Sequence, residues 1–173
     1  MKHSLTMKHS LTTLALLLSG CATIYQAPTD GPIAELVFDI DSGGAFPAVA
    51  IFREAERCSQ GGDDVKLQKV GKTRYQASTK IPANRDLSFM VLNVFISECV
   101  AISTFTPAEG QRYIASFWLN HAEGYCYSNL HRLTEAAPEL ELSRRHRKFT
   151  RPMTGSGAFC SEGDVPPRAA NQQ

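Results

Sequence analysis

Short stretches in which apolar and polar residues alternate are the main pattern of this chain, and they predict β-strands. Residues 34–40 are the clearest example, because Ala34, Leu36, Phe38 and Ile40 occupy every second position. In a strand these four side chains share one face, as in a sheet that is buried on one side. The pattern therefore predicts a half-buried strand at this point.

The same pattern continues toward the C-terminus. Further strands are predicted at residues 49–53, 65–70, 73–77, 87–92, 100–105, 112–119 and 126–133. Leu140 and Leu142 alternate with glutamates and indicate one more strand, whereas residues 58–64 are predicted to form a polar turn and residues 134–137 a short helix. Many short strands without a long helical period favour a single all-β domain, an antiparallel β-sandwich or small barrel.

One aromatic residue is out of phase with its predicted strand. Tyr113, Phe117 and Leu119 share one face, whereas Trp118 lies on the other. We therefore expect Trp118 to point away from the core, where an exposed aromatic side chain is a candidate for a ligand or partner surface. A sandwich with both faces buried is the alternative, and it would cover Trp118.

The N-terminal residues have the pattern of an export signal. Lys2 and Lys8 precede a short apolar run at residues 14–18, and small residues follow. A positive start, an apolar middle and small residues before a cleavage point are typical of a secretory signal peptide. The apolar run is much shorter than the roughly 20 residues that a membrane-spanning helix needs.

The end of this leader, Leu18-Ser19-Gly20-Cys21, resembles the lipobox of bacterial lipoproteins. The resemblance implies cleavage before Cys21 and attachment of lipid to its thiol, and Ala22 at the next position favours the outer membrane. The expected organisation is a signal peptide at residues 1–20, a lipidated tether at 21–32, a β domain at 33–162 and a flexible tail at 163–173. The domain would then face the periplasm.

Bulk composition narrows the class of function. Of the 173 residues, 43% are hydrophobic and 20% charged, which is ordinary for a globular domain. Removal of the first 20 residues leaves 153, enough for one domain with a core. It also removes two lysines and no acid, so the formal net charge changes from +1 to −1. Nucleic acid is therefore not an expected partner, since such domains are usually basic.

Four cysteines remain beside the one in the lipobox. An even number in an oxidising compartment predicts two disulfides, and four cysteines allow three pairings. The favoured pairing is Cys58 with Cys99 and Cys126 with Cys160, because these pairs do not interleave. The cysteines form no C-x-x-C pair and no His stands at ligand spacing beside them, so neither a metal nor another cofactor is expected.

A dense group of cations stands near the end of the expected domain. It comprises Arg144, Arg145, Arg147, Lys148 and Arg151. These side chains could bind phosphates of anionic lipid, at up to about 1 kcal/mol for each cation. The alternative is a solvated loop that Glu139 and Glu141 partly neutralise.

Two resemblances concern the β domain itself. Residues 81–87 and 105–113 are similar to small β domains of uncharacterised bacterial lipoproteins, a likeness that carries no activity. The segment around Ser156 is similar to the Ser-Gly-Ala loop of membrane-bound lysozyme-inhibitor lipoproteins, which implies that Ser156 enters the cleft of an enzyme. In that family a Trp-containing strand follows the loop, whereas Trp118 precedes it here.

No set of residues in the sequence has the spacing that would predict a catalytic site. The segment at residues 41–44 resembles the nucleophile segment of trypsin-like proteases, but it precedes every histidine of the expected mature chain and is predicted to form a tight turn. The primary expectation is a non-enzymatic, lipid-anchored envelope module that binds a protein or a polymer. The alternatives are an inhibitor of a cell-wall hydrolase and a weak hydrolase that uses His121 or His131.

Overall fold

A computed structural model describes residues 23–93, 99–120, 125–153 and 157–164. These residues contain β-strands and no helix, which confirms the predicted all-β class. The strands are β1 (Ile33–Asp41), β2 (Pro47–Glu54), β3 (Ser59–Asp64), β4 (Gln68–Lys69), β5 (Arg74–Pro82), β6 (Leu87–Asn93), β7 (Val100–Phe105), β8 (Arg112–Asn120), β9 (Tyr125–Leu133), β10 (Pro138–Leu140), β11 (Arg145–Phe149) and β12 (Cys160–Asp164).

The strands form two sheets of six. The first sheet has the order β10-β9-β8-β1-β5-β4, and the second has the order β12-β11-β7-β6-β2-β3. Neighbouring strands are antiparallel, as predicted, except that β1 and β8 run parallel, with Glu35 beside Arg112 and Asp41 beside Trp118. Because β1 lies between β5 and β8, the first strand of the domain occupies the middle of its sheet.

The main core lies between the sheets. Alternate residues of β1 are buried, as the sequence pattern predicts. The ring centroids of Phe38 and Phe89 lie 5.4 Å apart across the gap, and those of Phe105 and Tyr113 lie 5.1 Å apart. These two contacts align the sheets. The pair of sheets has two ends. We call the end that contains the β5–β6 turn the Arg85 end, and the opposite end, which contains the last residues of β1, β6 and β8, the Trp118 end.

A second, smaller core covers the outer face of the second sheet. Phe52, Met90 and Ile102 point outward from β2, β6 and β7 and are buried. Phe159 packs on Phe52 with ring centroids 5.6 Å apart, and the bond between Cys58 and Cys160 lies in the same cluster. The middle of this sheet is therefore buried on both faces, which explains why β6 is apolar at nearly every position.

The two predicted disulfides are present, but the predicted pairing is wrong. Cys58 is bonded to Cys160, with Cα atoms 5.4 Å apart, and Cys99 is bonded to Cys126, with Cα atoms 5.6 Å apart. This nested pairing also avoids interleaving, so the criterion used on the sequence left two of the three pairings open. The first bond fastens β12 to the β2–β3 loop, and the second joins the two sheets at the Trp118 end.

Several local predictions differ from the structure. The predicted turn at residues 58–64 contains strand β3, and only Gln68–Lys69 of the predicted strand at 65–70 is extended. The predicted helix at 134–137 is wrong: the hydroxyl of Thr134 closes a bend by donating to the carbonyl of Ala137 over 2.6 Å. Strands β11 and β12 were not predicted, and β12 reaches Asp164, two residues beyond the expected domain boundary.

The segment that precedes β1 is bound to the edge of the second sheet. The amide of Tyr25 donates to the carbonyl of Asp64 over 2.9 Å, and the amide of Asp64 donates to the carbonyl of Thr23 over 2.8 Å. The Thr23 hydroxyl donates to the Asp63 carboxylate. The predicted tether is thus held on β3 from Thr23 onward, whereas the predicted signal peptide and Cys21 lie outside the described residues. In the described part, no helix is long and apolar enough to cross a membrane.

Candidate binding surface

Three large aromatic side chains lie together on the outer face of the first sheet. Trp118 is on β8, and Tyr125 and Tyr127 are on β9. Their exposed fractions are 37%, 47% and 38%. The neighbouring residues Phe117 and Leu119 point inward and are buried, so the alternation of β8 fixes the outward direction of Trp118. This confirms the expectation that Trp118 points away from the core. We call the three residues the aromatic surface.

The aromatic rings are held against one another. Trp118 and Tyr127 are direct partners in the β8–β9 ladder, and their rings stack with centroids 5.4 Å apart and an interplanar angle of 16°. Tyr125 meets Tyr127 edge to face, with centroids 6.5 Å apart. Aromatic pairs of this kind fix ring orientation, so a ligand would meet a preformed group.

Hydrogen-bonding side chains border the aromatic surface. Asp41 is the β1 neighbour of Trp118, and its carboxylate is exposed and accepts from the amide of Gly43 over 3.1 Å. On the next outward row, Asp39 lies beside Ser116, which pairs with Asn129. The outer face therefore places a carboxylate beside Trp118, and hydroxyl and amide groups one row away from Trp118 and Tyr127.

Asp39 belongs to an ordered ion pair in this border. The guanidinium of Arg74 donates to both carboxylate oxygens, at 2.7 and 2.6 Å, and the amide of Gln76 donates to one of them at 3.2 Å. The Arg74 hydrogen bonds hold the pKa of Asp39 below its ordinary value, although partial burial acts in the opposite direction. Asp39 thus remains a carboxylate with oriented partners at neutral pH.

The predicted basic cluster is distributed over different environments. Arg147 is buried, and its guanidinium donates to the carbonyls of Glu56 and Ser161. Arg145 forms an ion pair with Asp86. Two further cations of the cluster, Lys148 and Arg151, are exposed. The five cations therefore do not form one continuous patch.

Arg144 points between the sheets, although no cation was expected there from the sequence. Its guanidinium donates to the Ser103 hydroxyl over 3.0 Å, and to the carbonyl and hydroxyl of Ser128 over 2.8 and 2.5 Å. Burial lowers the pKa of Arg144 to about 10, so the side chain stays charged at neutral pH. The available signal was Ser103 at an inward-facing position of β7, between the inward-facing apolar residues Ala101 and Phe105.

His146 lies beside this guanidinium. Its Nδ1 is 3.4 Å from an Arg144 nitrogen, and because arginine only donates, Nδ1 must be the acceptor of a neutral imidazole. Burial, and secondarily the charge of Arg144, lowers the pKa of His146 to about 4. The pair is a polar connection between β7, β9 and β11 rather than part of the outer surface.

Ser42 and His131, two residues considered for catalysis, lie in different parts of the fold. Ser42 is buried in the turn after β1, where its hydroxyl donates to the carbonyl of Thr73 over 3.0 Å. Positive φ angles at Gly43 and Gly44 confirm the predicted tight turn. His131 lies on the outer face of β9 beside Ile114. No group of three potential metal ligands occurs among the described residues, and His121 and Ser156 lie outside them.

Comparison with known proteins adds no family to this description. No protein-family model, curated protein or solved structure matches the chain. The assignment of a function therefore rests on the residues themselves.

Proposed function

We propose that this chain is a lipid-anchored protein of the bacterial envelope whose domain binds an envelope glycan through the aromatic surface. Lipid at Cys21 would hold it on the periplasmic face of the outer membrane. The observation that carries the binding role is the stacked pair of Trp118 and Tyr127, which is preorganised on a sheet face and remains more than one-third exposed. Catalysis forms no part of the proposal.

The surroundings of the rings favour a glycan over a protein. Stable protein interfaces need a broad patch with an apolar centre. Here three rings supply the large exposed apolar groups, and Asp41, Ser116 and Asn129 stand near them. A sugar ring offers the matching chemistry, since its C–H groups pack on aromatic rings while its hydroxyls bind carboxylate and amide groups.

Sedimentation with purified peptidoglycan sacculi tests the binding role. We expect the full-length protein to sediment with sacculi and the double variant Trp118→Ala/Tyr127→Ala to lose about tenfold or more in affinity, because truncated aromatic anchors cost about 1–2 kcal/mol or more each. Phe149→Ala is the matched control, since Phe149 is also 37% exposed but lies on the second sheet. Equal sedimentation of the double variant and the wild type would contradict the proposal.

The anchor is tested separately. Cys21→Ser should abolish incorporation of radiolabelled palmitate and release the protein from the membrane fraction, because the acylated thiol is removed. Alanine replacement of Ser19, two residues before Cys21, is the control and should still be labelled. Unchanged membrane fractionation of Cys21→Ser would show that lipid at this position does not hold the protein.

A further inference from the structure

We infer that the anchored domain rests on the bilayer through its Arg85 end, where Arg85 meets a phospholipid phosphate, and that it presents the aromatic surface to the periplasm. This inference rests on the proposed lipid at Cys21. It adds an orientation and a second binding partner, anionic phospholipid, to the proposed function.

The proposed lipidation residue is close in sequence to a fixed part of the fold. Thr23 is fixed by its backbone and hydroxyl bonds to Asp63 and Asp64. Two residues of fully extended chain, the sequence separation between Cys21 and Thr23, span at most about 7 Å. A lipid on Cys21 therefore leaves the domain little freedom to move away from the membrane.

The direction of residues 23–25 shows from which end the chain enters the fold. Ile24 pairs with Asp64 in the parallel sense, so residues 23–25 run in the same direction as β3. Strand β3 is antiparallel to β2 and runs from the level of Phe52 and Ser88 toward the level of Met90. The chain consequently enters the fold from the Arg85 end and proceeds toward the Trp118 end.

A cavity lies beside the bound segment. It has a volume of about 340 Å³, and its walls include Tyr25, Arg53, Asp63 and Arg85. Arg53 is paired with Asp63 over 3.0 Å. Arg85 is exposed and has no hydrogen bond or ion pair within the described part of the chain. A cation in this position can receive an anion without breaking an existing bond.

Asp86 and Tyr25, two other polar residues of the cavity, already have hydrogen-bond or ion-pair partners. Asp86 accepts from Thr106 over 2.6 Å and is paired with Arg145. Tyr25 donates its hydroxyl to the carbonyl of Lys80 over 3.1 Å. The headgroup layer of a bilayer is about 5–8 Å thick on each side, so lipid phosphates lie within reach of a cavity so close to Cys21.

The aromatic surface lies far from this cavity. Tyr25 contacts Lys80, whose β1 partner is Glu35, whereas Trp118 lies beside Asp41. The strand between Glu35 and Asp41 is about 20 Å long at about 3.3 Å per residue. With the Arg85 end on the bilayer, the rings project into the periplasm, where a glycan can reach them.

Fluorescence quenching of the single tryptophan tests the orientation. The full-length lipidated protein is reconstituted in vesicles of phosphatidylethanolamine and phosphatidylglycerol that contain headgroup-spin-labelled lipid. We expect Trp118 to keep its emission. In the variant Ile24→Trp/Trp118→Phe, the new fluorophore should be quenched, since Ile24 is 63% exposed and follows Cys21 by three residues. Quenching of Trp118 to the same extent would overturn the inference and place the aromatic surface at the headgroups.

The role of Arg85 is tested in the same variant. Adding Arg85→Ala should weaken docking on phosphatidylglycerol vesicles by up to about fivefold, the effect of one cation near an anionic surface, and the quenching should decrease accordingly. Lys72→Ala is the matched control, because Lys72 is exposed in the turn before β5 at the opposite end. Equal effects of the two substitutions would contradict a contact between Arg85 and a lipid phosphate.

Flotation separates this inference from the anchor. Every protein is first floated with the vesicles. Failure of the wild type to float would overturn the lipid anchor together with the orientation, whereas flotation with a quenched Trp118 would overturn the orientation alone.

Discussion

Arg144 shows how one residue can connect two sheets. Its guanidinium bonds Ser103 on β7 and Ser128 on β9, strands that belong to different sheets. The neighbouring Arg145 has the same charge but pairs with Asp86 at the surface, where both side chains are more than 40% exposed. From the sequence, the two arginines were equivalent members of one cation cluster, because charge density does not reveal which side chain turns inward.

This contrast predicts unequal losses of stability. Arg144→Ala should lower the free energy of unfolding by about 2–3 kcal/mol, since it removes charge-assisted bonds and leaves two serines without their donor. Arg145→Ala should cost no more than about 1 kcal/mol, as surface ion pairs contribute little. Urea denaturation of both variants measures the difference, and equal losses would contradict the inward role of Arg144.

His146 predicts a pH dependence at the same place. Its pKa is about 4 in the fold and 6.5 in the unfolded chain, so the unfolded state binds a proton first as the pH falls. The stabilisation by neutral His146 is complete above pH 6.5, decreases from there toward pH 4 and is absent below. For a half-buried group the loss should be about 1–2 kcal/mol after allowance for solvent screening.

Denaturation curves between pH 4 and 7 measure this loss, with His146→Gln as the comparison. The variant should lack the slope between pH 6.5 and 4, because glutamine does not titrate. Asp39, Asp63 and Asp86 have lowered pKa values, so their contribution is lost at more acidic pH and remains in both proteins. Parallel curves across the whole range would refute the assignment to His146.

At the scale of elements, the accuracy of the sequence predictions depends on where each strand lies. Strands with one buried face, such as β1 and β8, alternate clearly and were predicted almost completely. Strand β3 has the sequence SQGGDD and contains no large apolar residue. It is extended because its backbone pairs with the edge of β2. Backbone pairing does not require alternating apolar residues, so the hydrophobic pattern does not reveal this strand. The charged β11 was missed for the same reason.

Gly62 shows why β3 can approach β2 so closely. A Cβ atom at this position would lie 2.6 Å from the Cβ atom of Ala50. Gly62→Ala should therefore destabilise the domain by about 1–3 kcal/mol, and adding Ala50→Gly should restore most of the loss. Gly71→Ala is the control, because its nearest neighbour, the Cβ atom of Arg74, is 3.4 Å away. Thermal unfolding of the four proteins checks the order, and failure of the double variant to recover would contradict this contact.

At the scale of the whole molecule, the disulfides brace the two-sheet arrangement. The Cys58–Cys160 bond closes a loop of 102 residues and the Cys99–Cys126 bond one of 27. Their pairing could not be deduced from the sequence, because it depends on which loops the sheets bring together. The presence of two bonds was predictable from cysteine number alone, whereas the aromatic surface needed the β8–β9 register to place Trp118 on Tyr127.

The unequal loops predict unequal effects of removing each bond. Cys58→Ser/Cys160→Ser should lower the free energy of unfolding by about 4–5 kcal/mol and Cys99→Ser/Cys126→Ser by about 3–4 kcal/mol, since a longer loop restricts the unfolded chain more. Guanidinium denaturation measures the two losses. Peptide mapping under non-reducing conditions should recover the Cys58–Cys160 peptide, and recovery of a Cys58–Cys99 peptide would disprove the nested pairing.

The parallel pair of β1 and β8 makes the domain indivisible. Strand β1 starts at Ile33, yet its two neighbours are residues 74–82 and 112–120, which are supplied much later along the chain. A fragment that stops before β8 would leave the apolar central strand with one open side, and no shorter unit encloses the core. The domain can fold only when most of the chain is present. Natural or engineered truncations are therefore expected to expose unpaired strand edges and to aggregate instead of forming smaller folded domains.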